Sequence, residues 1–385
     1  MKRIYLLVLF ISILLPFNIK ALEDDNKLLE NATSGLLMEQ STGEIIYKKN
    51  INKKVPVASM TKMVVQTIIL ENIESGKIKW NDVVEVSKNA ADMGGSQIYL
   101  TAGEKMSIKD LFKGISMASA NDATVAMAEY LAGSEEKFVK KMNQKIRSLG
   151  LKNTQFKNST GLDEDGHYSS AYDMAIIARN LLNHEQILQF SSVYEDYLRE
   201  DTENKFWLVN TNKLVRYYEG ADGLKTGHTD NAGYCLAATA KKNDMRLIAI
   251  VLGEEDSKTR NSEAMQLLDY GFNNKKIMKL KDKNALVKEI KIDKGNKDKV
   301  GVITKDSVGV LQDKVGDKNK YTYNVKLNNI TLPIKKGDTL GKINIYEKDK
   351  YINSVDLISD SDVDKLNYFE LYIDTMKDSI LGIVS

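Results

Sequence analysis

Apolar and polar residues alternate along this chain with two different periods, and these periods indicate its structural elements. Two short apolar runs flank residues 41–43, Ser-Thr-Gly, which predicts a β-hairpin. Residues 59–73 form a long apolar run and predict a helix. Residues 107–149 predict three helical segments, separated by breaks near residues 119–121 and 133–134.

The second half of the chain predicts further sheet strands, a helix and then a separate β-rich domain. Residues 233–240 and 246–252 are apolar runs that predict a second hairpin, and residues 257–270 alternate with helical period. Strands at both ends with helices between them predict an α+β or three-layer domain over residues 28–273. Short alternating segments separated by Asp, Asn, Lys and Gly predict a small all-β domain over residues 275–362.

The last stretch, residues 364–385, predicts an amphipathic helix. Its charged residues sum to −2, and it is too polar to span a bilayer. It therefore either lies on a membrane surface or packs on protein, and its terminal position after a β domain favours the membrane surface. Apolar residues recur along it at steps of three and four: Leu366, Phe369, Ile373, Met376, Ile380 and Val384.

The first 21 residues have the pattern of a secretory signal peptide. Lys2 and Arg3 precede an apolar stretch over residues 4–15, and Ala21 is a plausible cleavage site. The apolar stretch is short for a membrane span, so we expect an exported protein that acts at the outer face of the cytoplasmic membrane or in the cell wall. Cleavage there changes the formal net charge from +2 to −1, which argues against nucleic acid as a partner.

Cysteine and histidine are too scarce to suggest a disulfide framework or a metal centre. Cys235 is the single cysteine of the sequence, which excludes an internal disulfide, and its apolar neighbours predict a buried core position. The three histidines, His167, His184 and His228, are far apart and lack ligand-like spacing. We therefore expect neither a metal nor a cofactor.

Three short motifs carry the candidate chemistry. Ser59 and Lys62 lie three residues apart, so that a helix would place both side chains on one face. Ser119-Ala120-Asn121 follows at a break between two predicted helices, and Lys225-Thr226-Gly227 precedes an apolar strand. Each motif alone is common, but S-x-x-K, S-x-N and K-T-G in this order are the motif set of penicillin-binding proteins and class A β-lactamases.

These residue types can together perform acyl transfer. Ser59 would attack, and Lys62 would accept its proton if burial and a second cation, Lys225, lowered the pKa of Lys62. Ser119 can pass a proton to the leaving amine, and Asn121 can hold Lys62 and the substrate amide by hydrogen bonds. In the K-T-G motif, Lys225 and Thr226 suit a substrate carboxylate, and Gly227 lets the strand approach the substrate. The backbone N–H groups of Ser59 and His228 would form the oxyanion hole.

At these residues the chain resembles the low-molecular-mass penicillin-binding proteins that are serine-type D-alanyl-D-alanine carboxypeptidases. Residues 156–162, 167–173 and 247–253 also look like signatures of this family. The resemblance implies an acyl-serine intermediate on Ser59, peptidoglycan stem peptides as substrates and β-lactams as covalent inhibitors. It also implies a penicillin-binding or β-lactamase-like fold followed by a β-rich domain and an amphipathic anchor, with Arg260 contacting the terminal carboxylate of the substrate.

Two other functions fit part of the pattern. A class A β-lactamase would need a glutamate in an E-x-x-L-N loop, but Arg179 occupies that position before Leu182-Asn183. A non-catalytic sensor of peptidoglycan or β-lactams would need neither the nucleophile Ser59 nor the base Lys62. His228 could also act as a general base, although the lysine already fills that role. Residues 93–97 form either a flexible loop at the border of the cleft or a simple turn.

Overall fold

The computed structural model describes residues 28–316, 320–370, 372, 373 and 376. The predicted signal peptide, residues 1–21, lies outside this part of the chain, and so does much of the predicted helix 364–385. Within the described residues, none of the helices has the length and apolar character that crossing a membrane requires.

Hairpins and a helical insertion build the first part of the chain, as the alternating patterns predict. The strands of this part are β1 (Ser34–Glu39), β2 (Ile45–Lys49), β3 (Val83–Glu85), β4 (Lys105–Ser107), β5 (Glu195–Leu198), β6 (Phe206–Val209), β7 (Ala221–Thr229), β8 (Gly233–Lys242) and β9 (Met245–Glu254). The helices are α1 (Lys62–Glu74), α2 (Lys88–Ala91), α3 (Ile108–Lys113), α4 (Asn121–Ala132), α5 (Glu135–Ser148), α6 (Ala171–Leu182), α7 (Leu188–Ser191), α8 (Leu214–Tyr217) and α9 (Ser257–Asn274).

Five of the described strands form an antiparallel sheet in the order β2-β1-β9-β8-β7. Successive residues of β9 point to opposite faces of this sheet, because side chains alternate along a strand. Ile248 and Ile250 pack in the core that contains α1, α4 and α6, whereas Leu247 and Ala249 pack against α9. The sheet therefore lies between two helical layers, and β7 is its edge strand.

A second, β-rich part follows α9. Five of its described strands form a sheet in the order β11-β12-β16-β15-β14, and β10 pairs with β13. Its core is built from aliphatic side chains such as Val302, Ile343 and Leu357, each of which is fully buried. The strands are β10 (Lys275–Lys281), β11 (Leu286–Lys291), β12 (Lys299–Thr304), β13 (Val308–Asp313), β14 (Tyr321–Leu327), β15 (Thr339–Glu347) and β16 (Lys350–Ser359).

The predicted α+β class, with an antiparallel sheet flanked by helices and a β domain behind it, is confirmed. The long helix predicted over residues 59–73 needs a correction, because Ala58–Thr61 form a 3₁₀ turn and α1 begins at Lys62. Since α9 ends at Asn274 and β10 begins at Lys275, we retain 28–273 and 275–362 as proposed domain limits.

Candidate active site

Ser59 lies in the 3₁₀ turn that leads into α1. Ala58, just before it, has a φ of 47°, a left-handed conformation that residues other than glycine rarely adopt. The turn brings the side chains of Ser59 and Lys62 together, and Lys62 Nζ donates a hydrogen bond to Ser59 Oγ at 2.8 Å. The predicted contact between the two residues is therefore present, although Ser59 precedes the α-helix rather than belonging to it.

The amine of Lys62 is enclosed by oxygen atoms. Besides Ser59, Nζ contacts Oδ1 of Asn121 at 2.7 Å and the carbonyl oxygen of Thr160 at 2.6 Å. Lys62 is fully buried, and this burial together with the nearby charge of Lys225 holds the pKa of the amine well below its ordinary value of 10.5. A lysine in this state loses its proton far more readily than a surface lysine, and its lone pair can then accept the proton of Ser59.

Ser119 occupies a break between a π-helical turn, Gly114–Ala118, and helix α4. Its φ of 62° places it in the left-handed region, and the side chain is only 4% exposed. Among the described residues, Ser119 Oγ has no hydrogen-bond partner. A buried hydroxyl without a partner is costly, so Ser119 Oγ is free to bond to a group that enters the cleft.

Asn121 opens helix α4 and connects the site to the loop 93–97. Its Nδ2 donates to the carbonyl oxygen of Gly94 at 2.7 Å, and its backbone N–H donates to the carbonyl oxygen of Ser96 at 2.6 Å. The loop therefore borders the cleft, as one of the two interpretations of these residues expects. Because Oδ1 of Asn121 binds Lys62, this side chain joins the loop to Lys62.

The edge strand β7 supplies Lys225, Thr226 and Gly227. Lys225 is buried, and this burial and the charge of Arg260 lower the pKa of its amine to about 7. A side chain at Gly227 would place its Cβ 2.7 Å from the carbonyl oxygen of Val57, so the strand can lie against the Ser59 turn only because this residue is glycine.

Arg260 and His228 lie at the other end of this arrangement. Arg260, in the first turns of α9, is only 5% exposed, and its guanidinium donates from Nη2 to Oδ1 of Asn261 at 2.8 Å. Its charge lowers the pKa of Lys225, so the two side chains lie close enough to interact. The His228 side chain is exposed and stacks on the ring of Tyr234, with 4.0 Å between ring centroids. This position does not support a general-base role for His228.

Thr160 and His167 contribute contacts to the site that no sequence motif assigns to them individually. Thr160 provides the carbonyl oxygen that accepts from Lys62. His167 lies 2.8 Å from Oγ1 of Thr61, and the backbone N–H of Lys157 donates to its Nδ1, so that Nε2 carries the hydrogen. Burial lowers the pKa of His167 to about 4, which keeps the ring neutral at neutral pH. Both residues fall within segments that resemble family signatures, and that resemblance was the only signal for them.

A cavity of about 460 Å³ adjoins the turn that carries Ser59. Its walls are the segment 54–58, the loop 161–168 and Asn231, which lies in the turn between β7 and β8. The cavity thus lies beyond the C-terminal end of β7.

Arg179 does not lie where a β-lactamase would need its glutamate. Its guanidinium donates from Nε to the carbonyl oxygen of Gln40 at 2.6 Å and from Nη2 to that of Ser41 at 2.8 Å. These contacts fasten helix α6 to the turn between β1 and β2. The geometry therefore does not support the β-lactamase alternative.

Gly161 makes the closest approach to the Ser59 turn. A Cβ at this position would lie 2.0 Å from the carbonyl oxygen of Ala58 and 2.9 Å from the backbone nitrogen of Ser59, and its φ is 85°. We expect Gly161→Ala to cost about 3 kcal/mol of unfolding free energy and to displace both Ser59 and Thr160. Thermal unfolding and labelling by a fluorescent penicillin measure the two effects.

Gly150 provides the matched control for that substitution. It also has a left-handed φ, 73°, but a Cβ there would meet no atom within 4 Å. Gly150→Ala should therefore cost only about 1 kcal/mol and leave penicillin labelling unchanged. Equal losses of stability in the two variants would show that backbone conformation, rather than close packing, requires glycine at position 161.

Comparison with known proteins identifies the family of this chain. A family model described as D-alanyl-D-alanine carboxypeptidase matches residues 23–256. A second one, described as penicillin-binding protein 5, C-terminal domain, matches residues 275–365. The D-alanyl-D-alanine carboxypeptidase DacF of Bacillus subtilis is 45% identical over 384 residues, which cover 98% of this chain and 99% of that protein.

Solved structures agree with the sequence comparisons. Penicillin binding protein 5 from Haemophilus influenzae is 31% identical, with a TM-score of 0.69 over 87% of this chain and 98% of that chain. Penicillin-Binding Protein D2 from Listeria monocytogenes, solved in an ampicillin-bound form, is 29% identical, with a TM-score of 0.57 over 64% of this chain and 98% of that chain. The predicted resemblance is confirmed, and the chain belongs to the D-alanyl-D-alanine carboxypeptidase family of hydrolases.

Proposed function

We propose that Ser59 and Lys62 carry out the hydrolysis of the terminal D-Ala-D-Ala bond of peptidoglycan stem peptides. The observation that supports this most strongly is the buried amine of Lys62, 2.8 Å from Ser59 Oγ, with a depressed pKa. Neutral Lys62 takes the proton as Ser59 Oγ bonds to the carbonyl carbon of the penultimate D-alanine. The carbonyl oxygen becomes an oxyanion, which the backbone N–H groups of Ser59 and His228 bind.

Collapse of this intermediate breaks the C–N bond and releases D-alanine. The leaving amine needs a proton. We propose that Ser119 passes this proton from Lys62 to the amine, because the Ser119 hydroxyl is buried and lacks a partner among the described residues. A water molecule then attacks the acyl-serine and gives its proton to Lys62. Ser59 recovers a hydrogen as the ester breaks, and the shortened stem peptide leaves as a carboxylate.

Lys225, Thr226 and Arg260 form the proposed site for the substrate carboxylate. Burial lowers the pKa of both side chains, and the charge of Arg260 lowers that of Lys225 further, so a bound anion would stabilise their charged forms. Asn121 would hold the substrate amide, and Gly227 lets the substrate lie close to the edge strand β7. The residues that precede the reacting bond then extend toward the cavity beside Asn231.

A β-lactam would acylate Ser59 by the same route, because its ring carbonyl takes the place of the peptide carbonyl. The ampicillin-bound relative from Listeria monocytogenes supports this expectation. In the sequence, Arg179 takes the position of the glutamate that a class A β-lactamase uses for deacylation, and its guanidinium binds the carbonyl oxygens of Gln40 and Ser41. The acyl-enzyme formed with a penicillin should therefore persist, and penicillins should act as covalent inhibitors.

We further propose that the protein is exported and acts at the outer face of the cytoplasmic membrane or in the cell wall. The signal-peptide pattern of residues 1–21 supports export. Residues 364–385 would lie on the membrane surface as an amphipathic helix. At its described start, large apolar side chains are exposed to solvent, with Tyr368 at 95% and Phe369 at 71% exposure.

Release of D-alanine tests this function directly. The full chain without residues 1–21 should release one D-alanine from each pentapeptide ending in D-Ala-D-Ala, as an amino-acid oxidase assay measures. Cross-linked muropeptides form a second arm, in which cleavage would reveal an additional endopeptidase activity. Slow acylation by penicillin without any release of D-alanine would favour the sensor and would contradict the proposed function.

A further inference from the structure

Thr211 touches two of the motif-bearing elements at once. It follows strand β6, and its backbone N–H donates to the carbonyl oxygen of Met117 at 3.0 Å, in the π-helical turn that leads into Ser119. Its Oγ1 lies 2.7 Å from Oγ1 of Thr226 in the K-T-G motif. No sequence motif indicates this residue.

Two buried asparagines fix the backbone around Thr211. Asn210 donates from Nδ2 to the carbonyl oxygens of Ser191 at 3.0 Å and Val193 at 2.9 Å. Asn212 donates from Nδ2 to the carbonyl oxygen of Gly223 at 2.7 Å, and its backbone N–H donates to Oδ1 of Asn210 at 2.9 Å. Both side chains are only 1% exposed. The Thr211 hydroxyl is therefore presented to Thr226 from a rigid support.

The Thr226 hydroxyl has a single hydrogen, and Thr211 affects which acceptor receives it. A threonine hydroxyl has one hydrogen to donate and two lone pairs that accept. If Thr226 donates its hydrogen to Thr211, none is left for a substrate carboxylate. For Thr226 to donate to the carboxylate, Thr211 has to donate to Thr226, and the two hydroxyls then form a chain in which each bond strengthens the next.

We propose that Thr211 is a positioning residue for substrate recognition, whose hydroxyl donates to Thr226 and thereby directs the single hydrogen of Thr226 to the substrate carboxylate. The inference rests on the proposed function, in which Thr226 contacts that carboxylate. In the free protein Thr226 Oγ1 donates to Thr211 Oγ1 at 2.7 Å. A bound anion would reverse this bond, because hydroxyl hydrogens can rotate to suit their partners. Thr211 thus contributes to binding of the carboxylate without contacting the reacting bond.

Thr211→Val tests this inference, because valine has the shape of threonine and keeps the backbone N–H bond to Met117. We expect KM for a D-Ala-D-Ala pentapeptide to rise about 10-fold, with little change in kcat, because a hydrogen bond to a charged group is weakened. Thr211→Ser retains the hydroxyl and should restore KM to within about 2-fold of the original value.

A second substrate separates recognition from a merely structural effect. An N-acyl-D-alanyl ester whose leaving alcohol bears no carboxylate should be hydrolysed equally well by the original protein and by Thr211→Val. Equal losses on both substrates, or an unchanged KM for the pentapeptide, would overturn the role of Thr211. The double variant with Thr226→Val should be no worse than Thr226→Val alone, since the two hydroxyls act as one unit.

Failure of the inference can be told apart from failure of the proposed function. If Thr226→Val leaves KM for the pentapeptide unchanged, the proposed contact between Thr226 and the carboxylate is wrong. If Thr226→Val raises KM and Thr211→Val does not, the carboxylate site stands and only the role of Thr211 is wrong.

Discussion

Replacement of Ser59 by alanine is expected to abolish D-alanine release and covalent labelling by penicillin, with a loss in kcat on the order of 10⁶-fold. The reason is that, among the described residues, Ser59 supplies the hydroxyl that hydrogen-bonds to the buried amine of Lys62. The fold should persist, because Lys62 keeps its bonds to Asn121 and Thr160. The thermal unfolding temperature should therefore change by only a few degrees.

Intact-protein mass spectrometry after incubation with penicillin provides the decisive measurement. The original protein should gain the mass of one drug molecule, and Ser59→Ala should gain none. Ser75→Ala is the matched control, because Ser75 is an exposed serine directly after helix α1 whose hydroxyl donates to the carbonyl oxygen of Asn72. A stoichiometric adduct on Ser59→Ala would show that another residue is the nucleophile.

The candidate catalytic motifs could be recognised in the sequence because each combines a reactive residue type with a local structural boundary. Ser119 and Asn121 fall at the predicted break between helices, and the structure has a left-handed residue there, at the start of α4. Lys225 lies in the edge strand beside the site. Short-range patterns carry such information, since a break or a strand is encoded within a few residues.

Other parts of the site depend on contacts between distant residues, which no local pattern encodes. The carbonyl oxygen of Thr160 contacts Lys62, which lies 98 residues earlier in the sequence. The hydroxyl of Thr211 contacts Thr226, which lies 15 residues later. The backbone of Ser59 is another example. The apolar run predicts a helix from residue 59. In the structure Ala58–Thr61 form a 3₁₀ turn instead, and Gly161 and Gly227 pack closely on residues 57–60.

The fold follows the same division between local and distant information. The hairpins β1–β2 and β8–β9 match their predicted apolar runs, because alternation within a strand is local. The hairpin β5–β6 has no such pattern and was not predicted. Its strands are only four residues long, and aromatic side chains such as Trp207 are exposed to solvent. Apolar and polar residues therefore do not alternate clearly along these strands.

Lys62→Met is expected to reduce acylation of Ser59 on the order of 10³- to 10⁴-fold, because methionine fills the same space but cannot accept a proton. Lys62→Arg is the informative comparison, since a guanidinium keeps the positive charge and does not lose its proton near neutral pH. If Lys62 is the base, both variants should be inactive. Substantial activity in Lys62→Arg would show that Lys62 acts through its charge.

The pH dependence of acylation tests the same role in the original protein. Only neutral Lys62 accepts a proton, so the second-order rate constant for a β-lactam should rise with pH through the pKa of Lys62 in the free enzyme. Because burial and Lys225 hold that pKa well below 10.5, the active form should already be present far below this pH. Lys225→Met removes the neighbouring charge, so the rise should move to higher pH, even though binding is weaker. An unshifted rise would mean that Lys225 does not tune Lys62 and that desolvation alone lowers the pKa of the base.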